Sequence, residues 1–223
     1  MREGDLDQRL MRFVLEMRQA GVTEPKVLAA MERTPRAAFA PDHMAALALD
    51  DVSLPLPCGQ IMTKPSLVGR MVTALALSGG ERVLEIGCGS GYQTAVMAQI
   101  AARVTGLDRH VRLVTAARAA LGKLRLDPAQ TYLGDGRRGW VQAAPYDRII
   151  LNAAVASLPE PLVEQAAQGG MILAPIVGPL GPRLTLWRVG MDGALGSGQD
   201  LGAVAFPALS EGLIAAAEEC SGP

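Results

Sequence analysis

VLEIGCGSGY (residues 83–92) joins an apolar run to three glycines spaced Gly-x-Gly-x-Gly, and its reading decides the fold. The run 82–86 predicts a buried strand, the glycines a turn, and the apolar positions over 91–101 a helix, so the turn leads from a strand into a helix N-terminus. Glycines there permit positive φ and let a ligand approach backbone that a Cβ would shield. A dinucleotide fingerprint places its third glycine one position later, on the helix beside a pyrophosphate. Here Gly87, Gly89 and Gly91 are followed by Tyr92, so a diphosphate is poorly served.

Outward from this stretch the pattern is regular. Helices are predicted over 66–77, 110–121 and 161–167. Strands are predicted over 103–107, 130–133, 148–152, 171–177 and 183–188, and the tail AVAFPALSEGLIAA (203–216) predicts a last strand and a short helix. Continuous apolar strands alternating with helices predict an α/β fold with a doubly wound, mostly parallel sheet and helices on both faces. Ahead of this lies an N-terminal helical extension: a helix over 6–20, with Leu6, Leu10, Phe13, Val14 and Met17 at helical spacing and Gly21 as its stop, then one over 25–33 capped by Thr23 and broken by Pro35. Residues 35–65, rich in proline and glycine, read as a loop-rich segment, either substrate-facing or a connector. The 223 residues are expected to form one domain, with 1–65 the helical and substrate side, 66–190 the cofactor core and 191–223 a C-terminal strand and helix.

Composition narrows the function. Hydrophobic residues make up 49% of the chain and charged residues 19%, with a formal net charge of −1. No apolar run reaches the ~18 residues that a bilayer requires, and no global positive field exists to hold a nucleic acid. The N-terminus lacks the apolar centre of a secretory signal, so a cytoplasmic protein is expected. Three cysteines (Cys58, Cys88, Cys220) without a Cys-x-x-Cys pair, and two separated histidines, His43 and His110, predict thiols and no metal site. Cys88 reads as a small apolar filler, both histidines as surface or capping residues, and Trp140 and Trp187 as packing.

Three acids complete the constellation. Glu85 lies on the strand before the glycine turn, placed to order that turn or meet a cationic ligand end. Asp108 ends the next strand, ~20 residues on, where an acid can accept both hydroxyls of a ribose or cap the helix that follows. Asp135 sits between Gly134 and Gly136 after another short strand, where it can meet an adenine amine or shape an ordinary turn. Together they describe a nucleoside without a diphosphate, and S-adenosylmethionine fits.

On VLEIGCGSGYQTAVMA (83–98), GDG (134–136), APYDRIILNAAVASLPEPLVEQ (144–165), RTPRAAFAP (33–41) and LPLPCGQIMTKP (54–65), the chain resembles the class I S-adenosylmethionine-dependent methyltransferases, and within them the protein-L-isoaspartate O-methyltransferase family. The resemblance runs over nearly the whole chain. It implies methyl transfer from S-adenosylmethionine to the α-carboxylate of isoaspartyl residues in damaged proteins and peptides, with S-adenosylhomocysteine as product. It assigns Gly87, Gly89 and Gly91 to the methionine part of the cofactor through backbone, Asp108 to the ribose, and Asp135 with Gly136 to the adenine. Thr63, in place of the family's usual serine, falls near the transferred methyl as the catalytic residue, and Pro57, Gln60 and Met62 flank it on the substrate side. A monomer needing no nucleic acid, membrane or metal is expected.

The chain departs from the family pattern at Met62, Lys64, Ser66 and Gly69, and at 167–170, where the family's Lys and Pro are absent. The first three lie beside the acceptor and bear on substrate more than cofactor. Lys64 is expected to face solvent, since a cation on the attacking carboxylate would hold back transfer. Two alternatives stand beside repair: the same fold acting on a small metabolite or one dedicated peptide, and a non-catalytic S-adenosylmethionine-binding paralogue. An open groove at 54–66 would favour a peptide, and a closed pocket a small molecule.

Overall fold

A computed structural model describes the backbone of residues 3–214 and the side chains of residues 7–214. The expected C-terminal helix beyond 214, Cys220 and the Leu6 side chain lie outside these. The N-terminal extension is α1 (Glu3–Gln19) and α2 (Pro25–Arg33). Phe13 and Met17 of α1 are buried, and Gly21 ends the helix at φ +94. The cap of α2 is Glu24 and not Thr23: its carboxylate accepts from Lys26 N–H. Between 35 and 65 short 3-10 turns alternate with a two-stranded antiparallel hairpin, β1 (Leu54–Pro55) and β2 (Ile61–Met62).

The core then proceeds as α3 (Pro65–Ala74), β3 (Arg82–Ile86), α4 (Tyr92–Ala98), β4 (Arg103–Asp108), α5 (Val111–Lys123), β5 (Ala129–Leu133), β6 (Tyr146–Leu151), α6 (Glu160–Glu164), β7 (Ala166–Gly178), β8 (Gly181–Arg188) and β9 (Gln199–Ala203). One seven-stranded sheet has the order β5-β4-β3-β6-β7-β8-β9. Pairing is parallel from β5 through β7, and antiparallel for β7 with β8 and β8 with β9. The buried strands Val83, Leu84, Ile86, Ile149, Ile150 and Leu151 are sealed on both faces by two apolar clusters, as a parallel sheet requires.

Several element ends differ from expectation, three of them with a plain physical reason. The helix expected to begin at Gly91 begins at Tyr92, with Gly91 as a left-handed N-cap at φ +84. The helix expected to reach residue 167 ends at Glu164, because Ala166 already pairs with Tyr146 of β6 and opens β7. Most of the tail expected as a strand from 203 is not one: β9 ends at Ala203, and the chain runs back along the segment after β6, with Ala154 N–H donating to Pro207 O (2.7 Å) and Leu209 N–H to Ala154 O (2.8 Å).

In this order the chain leaves β3 toward β4 and β5 on one side and reaches β6 and β7 on the other. The switch point therefore lies between β3 and β6, and ligands of open α/β sheets bind beyond the strand C-termini there. The glycine turn follows β3, Asp108 ends β4, Gly134–Gly136 follow β5 and Asn152 follows β6, all at that one edge.

Candidate active site

A cleft of about 720 Å³ opens at this edge, within the range of small-molecule sites. It is lined by the turn after β3, the ends of β4, β5 and β6, the 60–64 hairpin arm and the tail 203–210. Gln60, Met62, Thr63, Glu85, Gly87, Gly89, Asp108 and Gly136 share it. Pro57, Gly91 and Asp135 do not line it.

Each of those three has a structural reason. Pro57 opens the 3-10 turn within the hairpin. Gly91 lies against α5, where an added Cβ would come 2.9 Å from Ala117 Cβ. Asp135 is held by its own turn and the tail: its oxygens accept from Arg137 N–H and Gly212 N–H, each at 3.0 Å. Met62 is 3% exposed and belongs to the core, so it supports the hairpin from beneath as well as bordering the cleft.

Within the glycine turn the N–H groups of the three glycines and Cys88 are already engaged. Gly87 N–H and Cys88 N–H donate to Leu107 O (2.8 and 2.9 Å), Gly89 N–H to an Asp108 oxygen (2.9 Å), and Gly91 N–H to Cys88 O (2.8 Å). These amides cannot cradle a phosphate in the way a dinucleotide-binding turn does. What Gly87 and Gly89 offer a ligand is the absence of a Cβ, at φ +76 and +51. Gly136 is required for packing too, since a Cβ there would collide with Ile86 Cγ2.

The polar lining favours a cation. Glu85, 0% exposed, accepts from the Thr94 hydroxyl and from Asn152 Nδ2 (2.8 Å), and burial pushes its pKa up to about 8 against those two hydrogen bonds. Asp108 is also raised by burial, opposed by the backbone N–H groups of His110 and Gly89. A positive ligand restores the ionised form of such carboxyls. Asn152 also donates to Gly87 O (3.2 Å), while its Oδ1 is buried without a partner. Two carboxyls, an orphan acceptor and a turn whose glycine amides are already engaged fit S-adenosylmethionine, which carries an ammonium and a sulfonium and no phosphate.

Asn152 was not among the sequence candidates; its signal is a polar residue directly after an apolar strand of the parallel sheet. His110, expected as a surface or capping residue, is the N-cap residue of α5, 6% exposed and on the cleft wall. Cys88 is 5% exposed with its thiol pKa pushed up by burial, and Cβ of Gly106 would meet its side chain, as a filler should. Trp140 is partly buried and stacks on Tyr132 at 4.6 Å.

The departures beside the acceptor also resolve physically. Asp51 accepts from Ser66 N–H (2.8 Å) and Ser66 Oγ (2.7 Å) at the start of α3, and Lys64 Nζ lies 3.5 Å from the same carboxylate. Ser66 is thus a buried partner of Asp51, and the Lys64 ammonium is occupied. At Gly69 a Cβ would come 2.6 Å from Val22 and 2.9 Å from Met31, so the glycine lets α3 pack against the N-terminal helices. Among the described residues no cluster of His, Cys, Asp or Glu suits a metal ion, and no helix is long and apolar enough to cross a membrane.

Comparison with known proteins agrees with this geometry. The protein-L-isoaspartate(D-aspartate) O-methyltransferase family model matches residues 8–210. A protein-L-isoaspartate O-methyltransferase of Paracoccus denitrificans is 46% identical over 169 residues, 76% of this chain and 78% of that one. One from Azorhizobium caulinodans is 41% identical over 203 residues, 91% and 93% of the two chains. A Plasmodium falciparum structure described as a putative protein-L-isoaspartate O-methyltransferase in complex with S-adenosyl-L-homocysteine superposes with a TM-score of 0.78 at 21% identity, covering 89% of this chain and 97% of that one, which shows the shared fold. The chain belongs to the protein-L-isoaspartate(D-aspartate) O-methyltransferase family, enzymes that use S-adenosylmethionine to methylate isoaspartyl residues of proteins.

Proposed function

We propose that the chain transfers the methyl group of S-adenosylmethionine to the free α-carboxylate of L-isoaspartyl residues in damaged proteins and peptides. The observation that supports this most is that the hairpin arm carrying Thr63 and the glycine turn after β3 border the same cleft. Bound there, the cofactor supplies an electrophilic methyl on a positive sulfur. Glu85, Asn152 and the open backbone at Gly87 and Gly89 hold its methionine end. Asp108 takes the ribose hydroxyls with the lone pairs that Gly89 and His110 leave, and Gly136 borders the adenine while Asp135 shapes that turn.

The acceptor is ionised at neutral pH, because a carboxyl titrates near ~4. No general base is required. Thr63 Oγ1 would donate to one carboxylate oxygen and leave the other free to accept the methyl that the cofactor would supply, giving a methyl ester with no proton transferred. Charge disappears in the transition state, so rate comes from in-line alignment and exclusion of water. A cation fixed on the carboxylate would favour the ground state, and the pairing of Lys64 with Asp51 keeps that ammonium occupied.

A protein substrate is favoured over a small metabolite by the hairpin's position. Ile61 is 60% exposed and Val52 42%, so an extended main chain can lie along Gln60 and Ile61, with Pro57 and Met62 supporting the hairpin. We place the enzyme in the cytoplasm as a monomer that needs no nucleic acid or membrane; its net charge of −1 supplies no global field to hold a polyanion. Kinetics of Thr63 variants test the site: Thr63→Ala lowers kcat/KM for an isoaspartyl peptide about 10- to 100-fold and Thr63→Ser keeps most of it. Equal activity in all three removes Thr63 from the mechanism.

A further inference from the structure

Arg36 lies outside both the glycine turn and the acceptor hairpin, yet it is 1% exposed. A buried cation is costly unless its donors are met. Here backbone carbonyls meet the terminal donors: Nη1 donates to Ala48 O (3.2 Å) and Asp50 O (3.4 Å), and Nη2 to Val52 O (2.8 Å) and Thr63 O (3.3 Å), while Nε is buried without a partner. The planar guanidinium fork fixes the directions of these donors, which a lysine ammonium cannot reproduce. Its carbon also sits 5.8 Å from the centroid of the Tyr92 ring, near enough for a cation–π contact. Tyr92 is the first residue of α4, directly after the glycine turn, and borders the cleft. One side chain therefore touches the loop before the hairpin, the backbone of Thr63, and the helix that begins at the cofactor turn.

We propose that Arg36 is a positioning residue, which sets the separation between the Thr63 hydroxyl and the methyl-donating end of the cleft by tying Thr63 O and the 48–52 carbonyls to the face of Tyr92. The inference rests on the reading of Thr63 as the acceptor-orienting residue. The alternative is a scaffold role, in which Arg36 holds the domain together without bearing on transfer. The two differ in what they do to cofactor affinity: the Arg36 hydrogen bonds reach only the acceptor side, and α4 has its own buried contacts along its whole length.

The experiment compares Arg36→Lys, Arg36→Ala and Thr63→Ala, reading kcat and KM for an isoaspartyl peptide at saturating S-adenosylmethionine and Kd for S-adenosylhomocysteine by calorimetry. A misplacement of about 1 Å costs transfer about 10²-fold, so Arg36→Ala is expected to lower kcat about 100-fold and Arg36→Lys about 10-fold. Kd should stay within about threefold in both. Millimolar ethylguanidinium, which fits the space left by the side chain, should restore turnover to Arg36→Ala and leave Thr63→Ala unchanged. Wild-type turnover in Arg36→Lys overturns the inference, as does loss of S-adenosylhomocysteine binding in both Arg36 variants, including through failure to fold. If Thr63→Ala is impaired while Arg36→Lys is not, only the Arg36 inference fails; if Thr63→Ala is fully active, the reading of Thr63 fails and the inference with it.

Discussion

Glu85 sits at 0% exposure near the end of β3, hydrogen-bonded to Thr94 of α4 and Asn152 beyond β6, and so joins three elements at the floor of the cleft. Its pKa of about 8 in the fold, against an ordinary 4.5, gives a testable pH dependence. Between those values the folded chain holds a proton that the unfolded chain has lost, so stability falls as pH rises through this window, by up to about 1.4 kcal/mol per unit. Glu85→Gln should flatten the curve between pH 5 and 8, measured by urea unfolding without cofactor; superimposable curves would mean that Glu85 is already ionised. At this scale the sequence was legible where chemistry and strand position coincide. Glu85, Gly87, Gly89, Asp108 and Gly136 could be read because the parallel sheet delivers its strand ends to one edge. Asp135 and Gly91 were placed in the right turns, but spacing does not say which way a group faces, and theirs serve the turn and α5. Arg36 lies in the RTPRAAFAP stretch that carries the resemblance, but its role could not be read there, because its partners are carbonyls 12 to 27 positions away.

The element that matters most for the acceptor is the hairpin together with the start of α3. Burial raises the Asp51 carboxyl, but the hydrogen bonds from Ser66 outweigh it and hold its pKa below the usual aspartate value. The stability from this cap is present at neutral pH and is lost as pH falls through the lowered pKa. Asp51→Ala should cost about 1 kcal/mol at pH 7, seen as a lower Tm, and should also lower kcat for the peptide, because Lys64 loses its partner and can pair with the acceptor carboxylate in the ground state. An unchanged Tm would show that the cap contributes nothing. Helix and strand existence was legible from periodicity throughout the core, while ends were not. The strand expected over 171–177 extends back to Ala166, whose stretch AAQGG has no β-forming side chains and is recruited by backbone pairing with Tyr146 and Val189. The tail was read as strand from apolar residues that instead serve as a wall of the cleft.

Over the whole molecule, the cleft exists only where the fold brings substrate and cofactor sides together, so a ligand filling it should bind the folded chain alone. S-adenosylhomocysteine at 100 times its Kd then stabilises by about 2.7 kcal/mol, a rise in Tm of about 5–11 °C for a chain of this size. No shift at any concentration would remove the cofactor from this cleft. The most direct measurement concerns the acceptor: transfer of labelled methyl from S-adenosylmethionine to two peptides identical except for one residue, L-isoaspartate in one and aspartate in the other. The account predicts a base-labile methyl ester on the isoaspartyl peptide and none above background on the other. Equal labelling of both, or of neither while S-adenosylhomocysteine still binds, would contradict it.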